Sequence, residues 1–453
     1  MATNDTRLLQ IVHFADMTRW SAHDAAFGNV KSRYPLVPLS EIIRRIKEPI
    51  AIEDGILYKR ITVRNNGRGV VQRDELHGSA IGTKRQFVAH AGQLIISRID
   101  ARNGAFGIVP KELEGAVVTN DFWLFEVQKA LPKYLMLVLS SKRFQQYWQT
   151  QSSGTTNRQR VSENDFLGSK ISLPSIDDQI AVVRKYQELT TNAFKIEEEA
   201  AHLESSISDY LTSTLGIVET RPVEMGLFSS IMYSTVEKWG VDFLSAGRAI
   251  YNRKFPVKPI SAICKSGSGG TPPRGTAAYY NGSIPWVKTG EIQNDVIYDT
   301  EEKITVDAVA HSSAKVYPKG CVVIAMYGQG LTRGRTAKLG IDAATNQACL
   351  VLHDIDTEEV MPDYLWYYLQ GEYHRLRKLA YGNNQPNLSA KIINDYPVVI
   401  PPMDSDNEGD ITQASIVSEI AKRRRRIKEL NQEAQDLKAM AQMAFDKTIF
   451  DEV

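Results

Sequence analysis

The chain has 453 residues, 43% of them hydrophobic and 24% charged, so it can bury real cores and should divide into two or more domains. Because 54 basic residues meet 53 acidic ones, any surface that binds nucleic acid must be a local patch rather than a global excess of charge. Three cysteines without CxxC spacing argue against a disulfide framework or a cysteine-based metal site, and the polar N-terminus and short apolar runs favour a cytoplasmic protein without a membrane span.

Residues 1–177 are predicted to form a first globular domain. Strand-like apolar runs alternate with polar segments through this stretch, as in Leu94-Ile95-Ile96 after Gly92. Further landmarks of this domain are Tyr34–Ser40, the alternating Ile56, Tyr58 and Arg60, Thr119-Asn120, Pro132–Leu135 and Leu173-Pro174.

The spacing of apolar residues changes from strand-like to helical in residues 178–217, which are predicted to form a first long helix. Apolar residues recur at alternating spacings of three and four, which is the a/d pattern of a coiled coil. The stripe consists of Val182, Tyr186, Leu189, Ala193, Ile196, Ala200, Leu203, Ile207, Tyr210, Thr214 and Ile217.

Residues 218–409 repeat the landmarks of the first domain in the same order, at an offset near roughly 220 to 235 residues, as a tandem duplication requires. We therefore expect a second globular domain with the same fold. The matching segments are Phe255–Ser261, Ile284 with Trp286 and Lys288, Val322-Val323-Ile324 after Gly320, Thr345-Asn346, Pro362–Leu365 and Ile400-Pro401.

Residues 410–453 are predicted to form a second long helix in the register that the repeat requires. Its stripe consists of Ile416, Ile420, Arg423, Ile427, Leu430, Ala434, Leu437, Ala441, Ala444 and Thr448. Each stripe is narrow, so the economical arrangement packs the two helices together, antiparallel if a pseudo-twofold axis relates the halves. A rod of about 54 Å would then separate the domains. The alternative is that each helix packs on its own domain. The predicted fold class is α+β.

No catalytic motif is found in the sequence. It contains no phosphate-binding Gly-x-x-x-x-Gly-Lys-Ser/Thr loop, no His-Glu-x-x-His and no Gly-x-Ser-x-Gly. The glycine-rich run Gly267–Pro273 has proline where a phosphate-binding helix would begin, so it is interpreted as a turn. The histidines form no i, i+4 pair that would suggest a metal site. We expect no catalytic residues, cofactor or metal on this chain.

Polar clusters interrupt the strands of both halves and are candidates for contacts to DNA bases and phosphates. Arginine matches guanine, asparagine and glutamine match adenine, and Arg, Lys, Ser and Thr also hold phosphates. The alternative is that the clusters are solvated loops, because Asn, Gly and Ser are common turn formers. The candidates are Arg64, Asn66, Arg68, Arg98, Arg102, Asn103, Thr156, Asn157, Arg158 and Arg160 in the first half, and Lys288, Gln329, Arg333, Arg335, Asn383, Asn384 and Gln385 in the second.

The run Arg423–Arg426 differs from these clusters because it lies on the second long helix. Its simplest interpretation is a solvated helix face. Contact with phosphate or with a partner subunit is the alternative.

Short motifs precede the heptad helix that closes each half. They are Ser153–Thr156 leading to Ile171–Ile176 and Gln179, and Gly269-Gly270-Thr271-Pro272 followed by Tyr279-Tyr280 and Ile284–Val287. With these features the arrangement resembles the DNA-specificity subunit of Type I restriction-modification systems over nearly the whole chain. One departure is the acidic insert Asp404–Asp410, which leaves the start of the second helix open.

The resemblance implies that each globular domain is a target-recognition domain that binds one half of a split, asymmetric double-stranded DNA sequence. It implies that the helices are a spacer that docks two methyltransferase subunits, and that restriction and translocase subunits join them. S-adenosylmethionine, ATP and Mg would then be bound by those partners.

Two other functions are compatible with the same sequence features. One is the recognition subunit of a Type IIB-like or other phage-defence complex. The other is a scaffold whose repeated domains bind protein. Salt dependence separates the scaffold from a DNA-binding protein, because phosphate contacts make affinity fall steeply with salt.

Overall fold

The structure is a computed structural model that describes residues 32–65, 67–99, 101–141, 144–145, 162–219, 249–251, 254–328, 330–380, 387–407 and 409–450, without the side chains of Arg102, Glu219, Ala249 and Ile250. The chain forms two compact units. The first unit combines Met1–Ile196 with Gln432–Val453, and the second unit is Glu197–Asn431. Both long helices cross this division, so each unit contains a globular domain and a segment of each helix.

The first unit is built on a five-stranded and a four-stranded sheet. Their strand orders are β3-β6-β9-β4-β5 and β2-β10-β7-β8, and β1 pairs with β11 separately. All pairs are antiparallel except β4 with β9. The elements are β1 (Leu36–Pro38), β2 (Ile43–Ile46), β3 (Pro49–Ala51), β4 (Leu57–Val63), β5 (Val70–His77), β6 (Arg85–Ala89), β7 (Leu94–Ser97), β8 (Phe106–Ile108), β9 (Ala116–Val118), β10 (Phe122–Val127), α1 (Pro132–Ser140), α2 (Glu163–Gly168), β11 (Lys170–Ser172) and α3 (Ile176–Leu215), which continues into the second unit.

The second unit repeats this plan. Its main sheets have the orders β15-β23-β20-β21-β17 and β18-β16-β22-β19, with β14-β24 and β12-β13 as separate pairs. The elements are β12 (Ile217–Glu219), β13 (Ala249–Tyr251), β14 (Val257–Pro259), β15 (Lys265–Ser268), β16 (Tyr280–Val287), β17 (Val296–Ile297), β18 (Lys303–Ile304), α4 (Val306–Ala310), β19 (Val316–Tyr317), β20 (Val322–Ala325), β21 (Thr336–Leu339), β22 (Ala343–Thr345), β23 (Cys349–His353), α5 (Pro362–Gly371), α6 (Tyr373–Lys378), α7 (Ala390–Asn394), β24 (Pro397–Val399) and α8 (Gln413–Ile449), which continues into the first unit.

The order β2-β10-β7-β8 corresponds strand by strand to β15-β23-β20-β21, which confirms the predicted duplication and the α+β class. Side chains along the central strands alternate between the two faces of the main sheet, and apolar residues at successive positions bury both faces. In β7, Leu94 and Ile96 pack in the core that contains α1, whereas Ile95 faces the second sheet. In β20, Ile324 packs toward α5 and Val323 packs in the opposite core.

A buried glutamine in the first turn of each long helix makes the same contacts in both units. The Oε1 atom of Gln179 accepts from the backbone N–H of Leu131, and its Nε2 donates to the carbonyl of Pro174. Gln413 accepts from the N–H of Met361 and donates to the carbonyl of Pro401, 2.8 and 2.9 Å away. Both glutamines are fully buried. Each therefore connects the helix to the start of α1 or α5, and α8 begins at Gln413, shortly after the acidic insert ends at Asp410.

Burial along the two long helices follows the predicted heptad stripes, and every stripe residue is buried or half-buried. The first helix was predicted to reach Ile217, but α3 ends at Leu215 and Ile217 lies in β12. Within the second unit the segments run antiparallel. Arg426 approaches Glu199, and Arg423 donates to the carbonyl of Ser206 further along α3 and stacks on Tyr210. The helices pack on each other and also on the domains, as when Phe445 of α8 meets Tyr134 of α1 in the first unit.

Cys264, Cys321 and Cys349 are all free thiols in buried positions. Burial raises the pKa of the Cys321 thiol to about 11 and that of Cys264 to about 12. Among the residues that the structure describes, no group of three or more His, Cys, Asp or Glu side chains is arranged to hold a metal ion. No helix in the same ranges combines the length and the apolar character needed to cross a bilayer.

Candidate nucleic-acid interface

Corresponding loops follow the central strand of the main sheet in both units. The β7–β8 loop comprises residues 98–105, and the β20–β21 loop comprises residues 326–335. Because β7 and β20 occupy the same place in the topology, these loops emerge at equivalent positions. They contain the predicted Arg98, Asn103, Arg333 and Arg335.

In the first unit the β4–β5 turn lies against the β7–β8 loop. The N–H of Gly67 donates to the carbonyl of Gly104 over 2.8 Å. Gly67 has a φ of +64°, and a Cβ there would lie 2.6 Å from the Oγ of Ser140, so this close approach requires glycine. The structure thus brings Arg64 and Arg68, which are exposed on the turn, next to the loop that contains Asn103.

Arg98 lies at the base of the β7–β8 loop and is only half-exposed. Its guanidinium is 5.5 Å from the ring centroid of Trp123. Burial lowers the pKa of neighbouring Arg45, Glu163 raises it, and the charge of Arg98 lowers it further. Arg98 therefore contributes to packing, and its contact with DNA stays a prediction.

In the second unit the short helix α6 supports the β20–β21 loop. Arg377 donates from Nη1 to the carbonyl of Arg333 and from Nη2 to that of Gly330, over 2.7 and 2.8 Å. The hydroxyl of Tyr373 donates to the carbonyl of Leu331 over 2.7 Å. Tyr373 and Arg377 are not among the residues predicted from the sequence. The basic and aromatic run Tyr373–Lys378 is the signal that marks them.

Two of the predicted arginines lie near the end of this loop. Arg335 donates to Gln293. Arg333 is half-buried, and its pKa is lowered first by burial and then by the charge of Arg377. The structure therefore places two guanidinium groups, those of Arg333 and Arg377, close enough to repel each other, an arrangement that an anion would relieve.

Lys288 is the predicted residue most fully engaged within the protein. Its ammonium pairs with Glu301 at 2.8 Å and with Glu302 at 3.1 Å, and these carboxylates raise its pKa. Arg274 also pairs with Glu302, at 2.6 Å, and stacks on Trp286. The charge of Lys288 is therefore already matched, and a role in binding phosphate would require exchange of these partners.

Ten predicted residues cannot be placed. Their assignment to DNA binding stays a prediction from the sequence. Asn66, Thr156, Asn157, Arg158, Arg160, Gln329, Asn383, Asn384 and Gln385 lie outside the described residues, as does the side chain of Arg102.

The run Arg423–Arg426 is mostly engaged within the second unit. Arg423 donates to Glu419 and stacks on Tyr210, 4.6 Å from the ring centroid. Arg424 donates to the carbonyl of Asn294 over 3.0 Å and lies 5.4 Å from the centroid of Tyr367. Arg425 and Arg426 are exposed, and Arg426 approaches Glu199 and Glu429 at 3.8 and 3.7 Å. The solvated-face interpretation thus fails for Arg423 and Arg424, because both side chains are held by protein groups.

Comparison with known families agrees with the duplication. The sequence model of the Type I restriction modification DNA specificity domain matches residues 44–202 and again residues 252–435, together well over half of the chain. The chain belongs to this family. The two matches coincide with the two copies of the fold, and each includes one of the corresponding loops.

Curated relatives match over a smaller part. The specificity subunit of the Type I restriction enzyme MjaIX from Methanocaldococcus jannaschii is 25% identical over 171 residues, 36% of this chain and 38% of that protein. The specificity subunit of EcoR124I/EcoR124II from Escherichia coli is 24% identical over 148 residues, 32% of this chain and 36% of that protein. The chain thus spans little more than a third of the length of these relatives.

A solved structure agrees over nearly the whole length. A chain described under "Structural basis underlying complex assembly and conformational transition of the type I R-M system" superposes with a TM-score of 0.56 at 17% identity, covering 92% of this chain and 97% of that one. At this identity the likeness shows a shared fold.

Proposed function

We propose that this chain is the non-catalytic specificity subunit of a Type I restriction-modification complex and recognises a split, asymmetric sequence in double-stranded DNA. The observation that carries the proposal is that the DNA specificity domain occurs twice, with different residues in corresponding loops. Asn103 occupies the β7–β8 loop, whereas Leu331 and Arg333 occupy the β20–β21 loop. Two copies with one topology and different loops suit two different half-sites.

The proposal assigns catalysis to partner chains. Two methyltransferase subunits would bind S-adenosylmethionine, and restriction and translocase subunits would use ATP and Mg. Because its partners would act on chromosomal or invading DNA, we place the complex in the cytoplasm. The relatives named as specificity subunits support this assignment.

Single-molecule methylome sequencing tests the proposal. A strain that expresses this chain with its methyltransferase should carry a split, adenine-methylated motif that a strain without this chain lacks. Absence of the motif with the full complex expressed would contradict the proposal.

Paired variants assign the halves of the motif. Arg68→Ala should change or weaken recognition of one half, and Arg333→Ala that of the other, because the two residues belong to different units. Affinity of the complex for its duplex should also fall by about 10³ or more between roughly 50 and 200 mM salt if several phosphates are contacted. If the chain were a protein-binding scaffold, its complex would show no such salt-dependent affinity for DNA.

A further inference from the structure

The β20–β21 loop presents a large apolar side chain to solvent at its tip. Leu331 is 65% exposed, although a leucine is normally buried, and its immediate neighbours in the chain are Gly330 and Thr332. Single exposed apolar residues are common on protein surfaces, so exposure by itself implies nothing. The exposure of Leu331 is informative because hydrogen bonds from α6 hold the backbone of this residue in place.

One turn of α6 fixes three carbonyls of the loop around Leu331. Tyr373 donates to the carbonyl of Leu331, and Arg377 donates to the carbonyls of Gly330 and Arg333, all over 2.7 to 2.8 Å. Gly330 and Gly334 adopt positive φ values of 61° and 84°, which sharpen the bend on either side. These three hydrogen bonds hold the backbone around Leu331 before any ligand arrives, which lowers the entropic cost of binding.

Positive charge lies close to the tip. The guanidinium of Arg377 bonds to the loop backbone on both sides of Leu331, and its charge lowers the pKa of Arg333 within the loop. Lys378 follows Arg377 on the same helix. An apolar tip flanked by cations matches the major groove of DNA, where phosphates line the edges. Among the four bases, only thymine exposes an apolar group there, its C5 methyl.

Resting on the proposed function, we propose that Leu331 is a specificity-determining residue that contacts the C5 methyl group of a thymine in the major groove. Tyr373 and Arg377 are its positioning residues, because they act on the loop backbone. The second unit thus recognises one base of its half-site by apolar contact. The corresponding loop of the first unit presents the polar Asn103 and uses hydrogen bonds.

Replacing thymine by deoxyuridine tests this contact, since the change removes the methyl group and leaves the hydrogen-bonding groups of the base intact. The complex of this chain with its methyltransferase is titrated with the target duplex and with duplexes that carry one such replacement at each thymine of the second half-site. At one position the wild-type complex should lose affinity about fourfold, which corresponds to ~0.8 kcal/mol for one buried methyl-sized group.

Leu331→Ala should bind the thymine and deoxyuridine duplexes equally at that position, and it should keep the wild-type response at all others. Val306→Ala is the matched control, because Val306 is a comparably exposed aliphatic residue on α4 of the same unit. It should retain the fourfold discrimination. Tyr373→Phe should reduce the discrimination without changing Tm or affinity for a scrambled duplex.

Two results overturn the inference: discrimination that persists in Leu331→Ala, or a second half-site at which no replacement of thymine affects the wild-type complex. Either result leaves the proposed function intact if the complex still prefers its target to a scrambled duplex. Equal affinity for target and scrambled duplexes contradicts the proposed function, and the inference with it.

Discussion

At the scale of single residues, the two buried glutamines at the starts of α3 and α8 join each long helix to the domain beside it. Each amide satisfies backbone groups that would otherwise be buried without a hydrogen-bond partner, since α1 and α5 begin with a proline and offer no capping side chain. The same bonds recur in both copies of the fold. The glutamine thus belongs to the repeated unit and would be expected wherever this junction forms.

Gln413→Ala should destabilise the second unit by roughly 1–3 kcal/mol, because the N–H of Met361 and the carbonyls of Glu359 and Pro401 lose their partner in a buried position. Urea unfolding followed by circular dichroism measures the change. Gln432→Ala is the control, since Gln432 is exposed and bonds only to Asp436 on its own helix. Equal stabilities of the two variants would contradict the assigned role.

His90 makes part of the stability of the first unit depend on pH. Its ring lies between Glu114 at 2.6 Å and Glu48 at 2.9 Å, and hydrogen bonds to these carboxylates raise the pKa of His90 above its ordinary value of 6.5. A raised folded-state pKa stabilises the protein fully below 6.5, and the stabilisation disappears as pH rises through the folded value.

We therefore expect the Tm of the wild-type protein to fall relative to that of His90→Gln as pH rises from about 6 to 8.5. The group is over one-third exposed, so the difference should be small and should shrink in high salt. An NMR titration of His90 with a midpoint at or below 6.5 would be inconsistent with the ion pairs.

At the scale of elements, Arg424 attaches α8 to the domain of the second unit. Its guanidinium is inserted between the helix and α5, where it stacks on Tyr367 and bonds to Gln370 and Asn294. The adjacent Arg425 is exposed. Neighbouring residues of the same type thus occupy opposite environments on one helix.

Arg424→Ala should destabilise the second unit by about 2–3 kcal/mol, because charge-assisted hydrogen bonds and a desolvated cation–π contact are lost together. Arg425→Ala should change stability by no more than about 0.5 kcal/mol. Thermal unfolding of both variants provides the measurement. A larger effect at Arg425 would indicate that the exposed side of the run has a role in the free protein.

Sequence periodicity predicted the helices because heptad spacing is a local property. The stripe residues from Val182 to Thr214 and from Ile416 to Thr448 are buried or half-buried on their helices, as the pattern predicted. The candidate site was harder to predict from the sequence because its contacts join distant parts of the chain. Arg377 reaches Arg333 across 44 residues, and Arg424 reaches Asn294 across 130. Composition likewise marked Lys288 as a candidate without showing that Glu301 and Glu302 pair with it.

At the scale of the whole molecule, each compact unit is assembled from separate parts of the chain. Phe445, near the end of α8, is 2% exposed in the core of the first unit, where it meets Tyr134 and Tyr186. Ile449 and Phe450 belong to the same core. Stability of the first domain therefore depends on residues more than 200 positions away in the sequence.

Phe445→Ala should destabilise the first unit by about 3–5 kcal/mol, as loss of a buried aromatic ring leaves a cavity. Hydrogen exchange should accelerate in β7 and α1 and remain unchanged in β20 and α5. Met443→Ala is the control on the same helix, because that side chain is 71% exposed. Acceleration in both units alike would show that they unfold as one cooperative block.

The place of Phe445, Ile449 and Phe450 also has a consequence for biosynthesis. The first domain leaves the ribosome early, but residues that complete its core are synthesised only after the second domain. At about 5–20 residues per second, the delay is on the order of tens of seconds. During that time Tyr134 and its neighbours lack their final covering, so the nascent chain is exposed to aggregation and to chaperone binding before the first domain can close.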